Sequence, residues 1–332
     1  MADCLGSKRR GAIAACTLAW LVCATTAHAQ TLPNDDDPDA LAQDASEPSA
    51  AQPSAADLRL SWPAHARRPG WVEAGVSAGL LATGVALPML FKPTRARWTG
   101  GILMDGWVRG GLNLSPGQRA GAVTASNIML YSTLSVPFVE VAAEALAGRM
   151  SGDLALRILL VELQSFGVTG FVTALPKVTA ARERPYGLRC DSDPSAPGCD
   201  SSERYVSFFS GHTSLTFTAA GLSCVMHRQL HLYGRPGLDA AACGLALGAA
   251  TVTGVLRVVA DQHWTSDVVM GAAVGLLSGW LLPYLLYFRD VGDSNDDGDR
   301  ETSGLPSTGL GSGVFSPWAN PGGAGLSYSA LF

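Results

Sequence analysis

The sequence predicts an all-α protein: a bundle of about six core helices embedded in a membrane, with disordered N- and C-terminal tails. Three observations carry the prediction. Charged residues make up only 15% of the 332 residues and hydrophobic ones 47%, whereas an ordinary soluble domain has about 25% charged residues. Apolar stretches recur at about 74–91, 121–139, 158–176, 213–226, 240–256 and 268–288, separated by short polar clusters. Within them Gly79, Gly84, Gly244, Gly248, Gly271 and Gly275 repeat at spacings of four or five, a pattern that lets helices approach closely. The apolar content excludes whole-chain disorder. Seven Cys in so long a chain exclude a disulfide-dense mini-protein.

In chain order, residues 1–29 read as a secretory signal peptide. Lys8, Arg9 and Arg10 form a positive n-region, 12–25 an apolar h-region, and Ala27-His28-Ala29 a small-x-small cleavage site. Residues 30–68, rich in Pro, Ala, Ser and Asp without periodicity, read as a disordered acidic linker. Residues 69–289 form the helical domain. A bilayer crossing needs about 20 apolar residues, and all but the third and fourth stretches read directly as crossings. The third carries Glu162 near its start, and the fourth is short unless its neighbours extend it. A soluble bundle of buried helices is the competing reading.

Residues 290–332 read as a flexible acidic, Gly-rich tail. Asp293-Ser294-Asn295-Asp296-Asp297-Gly298 imitates the start of a calcium loop, but Gly304 stands where the closing Glu belongs, so the segment reads as a spacer. Charge is segregated accordingly. Residues 30–57 hold seven acids and no base, while 58–289 hold 19 Lys and Arg against 14 Asp and Glu. The helical middle is therefore positive in a chain of net charge −5.

Three polar clusters sit at predicted helix ends. The first runs from Lys177 to Arg184-Pro185, the second from Ser207 to Thr213 around Ser210-Gly211-His212, and the third from Arg257 through His263 to Asp267. Converged, Lys177, Arg184 and Arg257 supply three cations suited to a phosphate oxyanion. Ser210 and Gly211 open a helix whose N–H groups and dipole favour the same anion. His263 and Asp267 are four apart, so the carboxylate can orient the imidazole, and His212 offers a second proton carrier. Two histidines and a cationic cradle describe metal-free phosphoryl transfer. Arg182, close to the first cluster, reads as an added charge for the site or, ahead of that, as an exposed, solvated one.

K-x6-RP, S-G-H and R-x5-H-x3-D together resemble the three-part signature of the type 2 phosphatidic acid phosphatase superfamily, which includes lipid phosphate phosphatases, bacterial acid phosphatases and vanadium haloperoxidases. The resemblance spans 177–267, and the helical pattern extends it to about 70–288. It implies that His263 attacks phosphorus to form a phosphohistidine, that Asp267 orients it, and that His212 protonates the leaving oxygen and then activates water. Lys177, Arg184, Ser210, Gly211 and Arg257 would hold the phosphate oxygens, with no metal and no cofactor. Two positions depart from the family pattern: Phe209 stands where Pro is usual, and Leu256 where Ser is usual.

Between the first two clusters, Cys190 and Cys199 enclose eight residues with two Pro and a Gly, a turn that a short disulfide can close in an oxidising compartment. Cys224 and Cys243 read as packing residues in apolar helices. Trp264 reads as interfacial, as lining an acyl entrance, or as simple packing.

The resulting expectation is a metal-independent phosphatase of the bacterial cell envelope with a periplasm-facing site. Its substrate would be a lipid phosphate or pyrophosphate, such as an isoprenoid carrier, phosphatidate or phosphatidylglycerol phosphate. Its partners are that substrate and membrane lipid, with neither nucleic acid nor an obligate protein partner. A soluble periplasmic acid phosphatase is the alternative, and a vanadate haloperoxidase or a non-catalytic membrane protein stands further off. Span counting raises one conflict. After leader cleavage, three crossings before Lys177 would put the cluster in the cytoplasm.

Overall fold

The computed structural model describes residues 59–289, except 113 and 197, and the backbone of two strands further on. The leader, the linker up to residue 58 and the calcium-like stretch lie outside the described residues. The elements are α1 (Trp71–Leu90), α2 (Asp105–Gly111), α3 (Pro116–Leu146), α4 (Gly152–Ala180), α5 (Gly187–Cys190), α6 (Gly211–Leu230), α7 (Pro236–Val259) and α8 (Thr265–Leu276). α8 continues through π-helical turns at Leu277–Leu281 and Tyr284–Phe288, on either side of Pro283. Local chemistry sets the starts. Ser115 accepts from the Gln118 N–H while the Gln118 side chain returns to Ser115, with Pro116 in the first turn of α3, a reciprocal cap on a preset φ. Ser151 caps α4 by accepting from the Leu154 N–H, without a returning side chain.

α1, α3, α4, α7 and the continuous Thr265–Phe288 helix are long and apolar enough to cross a membrane. The third apolar stretch thus becomes the middle of a 29-residue helix, with Glu162 turned inward and buried. α6 is not among these five; it is the most enclosed helix, packed against α3, α4, α7 and α8. The outer helices instead expose Val72, Val85, Met89, Tyr131, Val139, Leu245, Val255 and Val269, apolar side chains suited to a lipid environment. The protein is a membrane-embedded helical bundle.

Glycines set the closest approaches. A Cβ at Gly84 would lie 2.6 Å from the backbone of Gly170, and one at Gly167 would lie 2.5 Å from the Ser77 carbonyl, so α1 and α4 run side by side in the same direction. Gly271 and Gly275 press in the same way on the Ser210 and Ser214 carbonyls, making α6 and α8 parallel as well. Gly79, Gly244 and Gly248, part of the same sequence pattern, meet nothing within 4 Å among the described residues.

These directions place the ends of α1, α4 and α7 and the starts of α3, α6 and α8 on one face. The chain enters and leaves on the other. Leu60 N–H bonds the Arg149 carbonyl, Arg67 N–H bonds the Tyr287 carbonyl, and Trp62 stacks on Phe288. Residues 59–68, inside the stretch read as linker, are thereby docked on the bundle.

A second unit begins at Val291. In it Gly313–Asn320 (β1) and Gly323–Ala330 (β2) pair antiparallel, with Asn320 opposite Gly323, within the segment read as a tail.

Candidate active site

The three clusters meet where α4 ends and α6 and α8 begin. Ala181, at φ 44, stops α4, and the chain continues extended along 97–98. Arg97 N–H reaches the Ala181 carbonyl and Glu183 N–H the Trp98 carbonyl. Arg184, His212 and Arg257 line one cavity of about 440 Å3, together with Val123, Asn127 and Gln262. Lys177 lies beside Gly211 and donates from Nζ to the Val206 carbonyl at 3.0 Å. His263 is 2% exposed. Burial, and then the positive charges of Arg184, Arg257 and Lys177, hold His263 well below its ordinary pKa, so it is a neutral imidazole at neutral pH. His212, in the first turn of α6, is held down by burial and then by Arg257, Arg184 and Lys177.

Hydrogen bonds assign the His263 proton. Nδ1 lies 2.8 Å from the Ser207 backbone carbonyl. A carbonyl only accepts, so Nδ1 carries the hydrogen and Nε2 keeps a lone pair. Asp267, expected to orient the ring directly, is 3.7 Å from Nδ1, beyond hydrogen-bond range. Its carboxylate instead accepts from the Ser207 hydroxyl at 2.6 Å, from Trp264 N–H at 3.0 Å and from Arg182 Nη1 at 2.5 Å. Asp267 therefore caps α8 and tethers Ser207, whose carbonyl holds the imidazole. The physical reason is that α8 starts at Thr265, leaving His263 ahead of the helix and off the face that Asp267 shares.

Arg182 corrects the sequence expectation most sharply, because it is 0% exposed. Its guanidinium bridges Asp267 and Asp105, donates to Ser266 and the Gly100 carbonyl, and lies 3.9 Å over the Trp98 ring. Asp105 also accepts from the Ile102 and Ser266 N–H groups. Burial opposes its ionisation, but these bonds and Arg182 prevail and hold its pKa below the usual value. Trp264 is likewise buried, donating from Nε1 to the Glu183 carbonyl, so of its three readings packing is the one observed.

Ser210 is fully buried as the cap of α6, accepting from Thr213 N–H and Oγ1. Gly211 follows it, and the N–H groups of this first turn have no partner further back in the helix. Arg184 donates to the Glu203 carbonyl and carboxylate and to Gln262 Oε1. Arg257 donates to Ser126 at 3.2 Å, and His212 Nε2 pairs with Asn127 Oδ1 at 2.8 Å. Ser126, Asn127, Ser207, Glu203 and Gln262 escaped sequence reasoning. The first two come from α3, more than 80 residues from His212, and only Ser207 and Gln262 stand inside a recognisable cluster.

Cys190 and Cys199 form a disulfide across the loop beside the cavity. Cys224 and Cys243, read as packing residues, form a second one between α6 and α7. Packing of these helices brings their Cα atoms to 4.4 Å, which no turn in the sequence announces.

Residues 158–290 match the family profile described as PAP2 superfamily. Over 137 residues, 40% of this chain and 25% of the relative, the chain is 31% identical to lipid A 1-phosphatase of Porphyromonas gingivalis. Over 171 residues, 49% of this chain and 60% of the relative, it is 29% identical to a PA-phosphatase related-family protein of Dictyostelium discoideum. The chain thus spans a quarter to three fifths of the length of these curated relatives. Among solved structures, a transmembrane PAP2 type phosphatidylglycerolphosphate phosphatase from Bacillus subtilis aligns with 68% of this chain and 98% of its own, at 18% identity and a TM-score of 0.41. The matched residues 158–290 carry all three clusters, so the likeness to the PAP2 superfamily falls on the site.

Proposed function

We propose that the protein is a metal-independent phosphatase that hydrolyses a lipid phosphate or lipid pyrophosphate through a phosphohistidine on His263. One observation carries the reading: a neutral, buried His263 whose Nδ1–H is committed to the Ser207 carbonyl, leaving the Nε2 lone pair among three cations. In the first step the Nε2–P bond forms and the ester P–O bond breaks, and protonated His212 gives its proton to the leaving oxygen. In the second, His212 takes a proton from water, whose oxygen attacks phosphorus and releases the imidazole. Lys177, Arg184 and Arg257, with the first-turn N–H groups of α6, hold the oxyanions. Asn127 fixes Nε2 of His212, leaving Nδ1 to exchange the proton.

A lipid substrate is supported by the membrane-embedded bundle, by a lipid A phosphatase among the relatives, and by Ile102, Leu103, Met104 and Trp107 exposed on the site face. The test is phosphate release from a panel of lipid and soluble esters. Trapping with labelled substrate should yield an acid-labile, base-stable phosphoenzyme. His263→Ala should abolish the adduct and lower turnover by about 10⁴-fold or more while the protein stays folded. Unchanged turnover in that variant overturns the mechanism.

We assign the site to the periplasmic side, because the Cys190–Cys199 bridge lies on the site face and disulfides persist in oxidising compartments. The helix directions then put residues 70 and 289 in the cytoplasm. A leader cleaved after Ala29 would deliver residue 70 to the periplasm instead. With α1 crossing beside α4, the cleaved leader and the periplasm-facing site exclude one another, and the disulfide favours the site.

A further inference from the structure

The cavity extends past the groups that the phosphohistidine mechanism uses. Its outer wall is Tyr186, Arg189, Gly198, Ser201 and Glu203, all from the segment between the first two clusters that the Cys190–Cys199 bridge ties down. Arg189 is the cation of that wall with no assigned role. Among the described residues its only carboxylate partner is Asp261, on the α7–α8 connection, and that carboxylate is oversubscribed. Arg109 takes it with two hydrogen bonds of 2.9 and 3.2 Å, Arg119 approaches at 3.3 Å, and Arg189 comes last at 3.6 Å.

Three guanidinium groups thus share one buried negative charge, leaving an excess of two positive charges. The Arg189 side chain is 40% exposed, and its Nε finds no hydrogen-bond partner among the described residues. Arg109 and Arg119 satisfy Asp261 by themselves, so Arg189 is not needed to neutralise it. Guanidinium forks that lack a carboxylate of their own favour phosphate oxygens.

We propose that Arg189 is a specificity-determining residue, forming a second anion subsite that binds a further phosphoryl group of the substrate beside the one under attack. The proposal deepens the phosphatase reading and rests on it. The preferred substrates are phosphorylated lipids with two phosphoryl groups. Two sources share that chemistry: a diphosphate, whose second phosphorus is bonded through oxygen to the first, and a lipid headgroup bearing a separate phosphate. The disulfide serves the same end, since it holds α5, and with it Arg189, against the cavity.

The experiment uses the full chain in detergent or nanodiscs and compares wild type, Arg189→Gln and Arg189→Lys. Three substrates are offered: a lipid monophosphate with no other charge, the corresponding diphosphate, and a lipid with two separate phosphates. Inhibition by inorganic pyrophosphate is measured against inhibition by inorganic phosphate. Arg189→Gln should lower kcat/KM for at least one doubly phosphorylated substrate about tenfold, mainly through KM, and for the monophosphate no more than about threefold. The pyrophosphate preference should fall in parallel, and Arg189→Lys should recover part of both. Whichever substrate suffers the larger loss identifies the source of the second phosphoryl group.

Equal loss on all three substrates would make Arg189 merely structural, and no loss on any would leave it outside the site; either result overturns the proposal. A wild type that does not prefer doubly phosphorylated substrates over the monophosphate overturns it as well. Failure of the phosphatase reading looks different: His263→Ala would then retain turnover on every substrate.

Discussion

At the cavity end of α6, His212 faces Arg257, Arg184 and Lys177 and has one neutral partner, Asn127. At the far end of the helix, roughly 22 Å away at 1.5 Å per residue, His227 lies between two carboxylates. Asp239 is at 2.7 Å from Nδ1 and Glu140 at 3.2 Å from Nε2. Asp239 also accepts from Tyr233 N–H, and Glu140 from the Tyr233 hydroxyl. Carboxylates accept, so the far histidine donates from both nitrogens and serves as a charged pin between α3, α6 and α7. The near histidine, among cations, is held neutral; in the proposed mechanism an anionic substrate would supply the charge that stabilises its protonated form. One residue type on one helix thus sits among cations at one end and between carboxylates at the other, and the neighbouring charges alone set which of the two can act as the proposed proton carrier.

The largest effect that tests this contrast comes from truncating each histidine. His212→Ala should reduce kcat by about 10²–10⁴-fold with little change in thermal stability. His227→Ala should destabilise the bundle by about 3–5 kcal/mol, because it leaves buried carboxylates uncompensated, while folded protein keeps most of its turnover. Steady-state kinetics and detergent melts on both variants decide the matter, and a His227→Ala variant that is stable but inactive breaks the comparison.

Arg182→Met probes the layer beneath the site. It strips the buried Asp105 and Asp267 of their shared cation, so it should cost about 3–5 kcal/mol of stability and also slow turnover through Asp267, Ser207 and His263. A variant as stable as wild type would show that the hydrogen bonds from Ser207, Ser266 and the backbone are sufficient by themselves.

The third prediction concerns the two faces rather than the two histidines. Single cysteines introduced at Ser202 on the site face and at Arg68 on the far face should react oppositely with a membrane-impermeant thiol reagent in intact cells. The expected pattern is labelling at 202 and protection at 68. The reverse would restore the exported leader and move the site to the cytoplasm.

Much of this was legible in the chain itself. Lys177, Arg184, Ser210, Gly211, His212, Arg257 and His263 stand in short motifs whose spacing survives folding, because each lies within one or two turns of a helix end. The Cys190–Cys199 bridge was legible for the same reason, since only a Pro- and Gly-rich turn separates its ends. Arg182 was misread because neighbours along the chain say nothing of Asp105 and Trp98, which close over it from a segment about 80 residues earlier. Cys224 and Cys243 were misread because two Cys in apolar helices look alike whether or not those helices touch.

The sequence by itself determined an all-α membrane bundle, a cationic middle between acidic ends, and the three short clusters that hold the candidate site's histidines and cations, since composition and short-range spacing are local properties of a chain. Only the tertiary structure decided that the Ser207 carbonyl rather than Asp267 holds the His263 ring, that Arg182 is a buried clamp, and that Arg189 is left with a third share of one carboxylate. Hydrogen-bond partners and charge balance depend on distances of a few ångströms between residues far apart in the chain, and packing sets those distances.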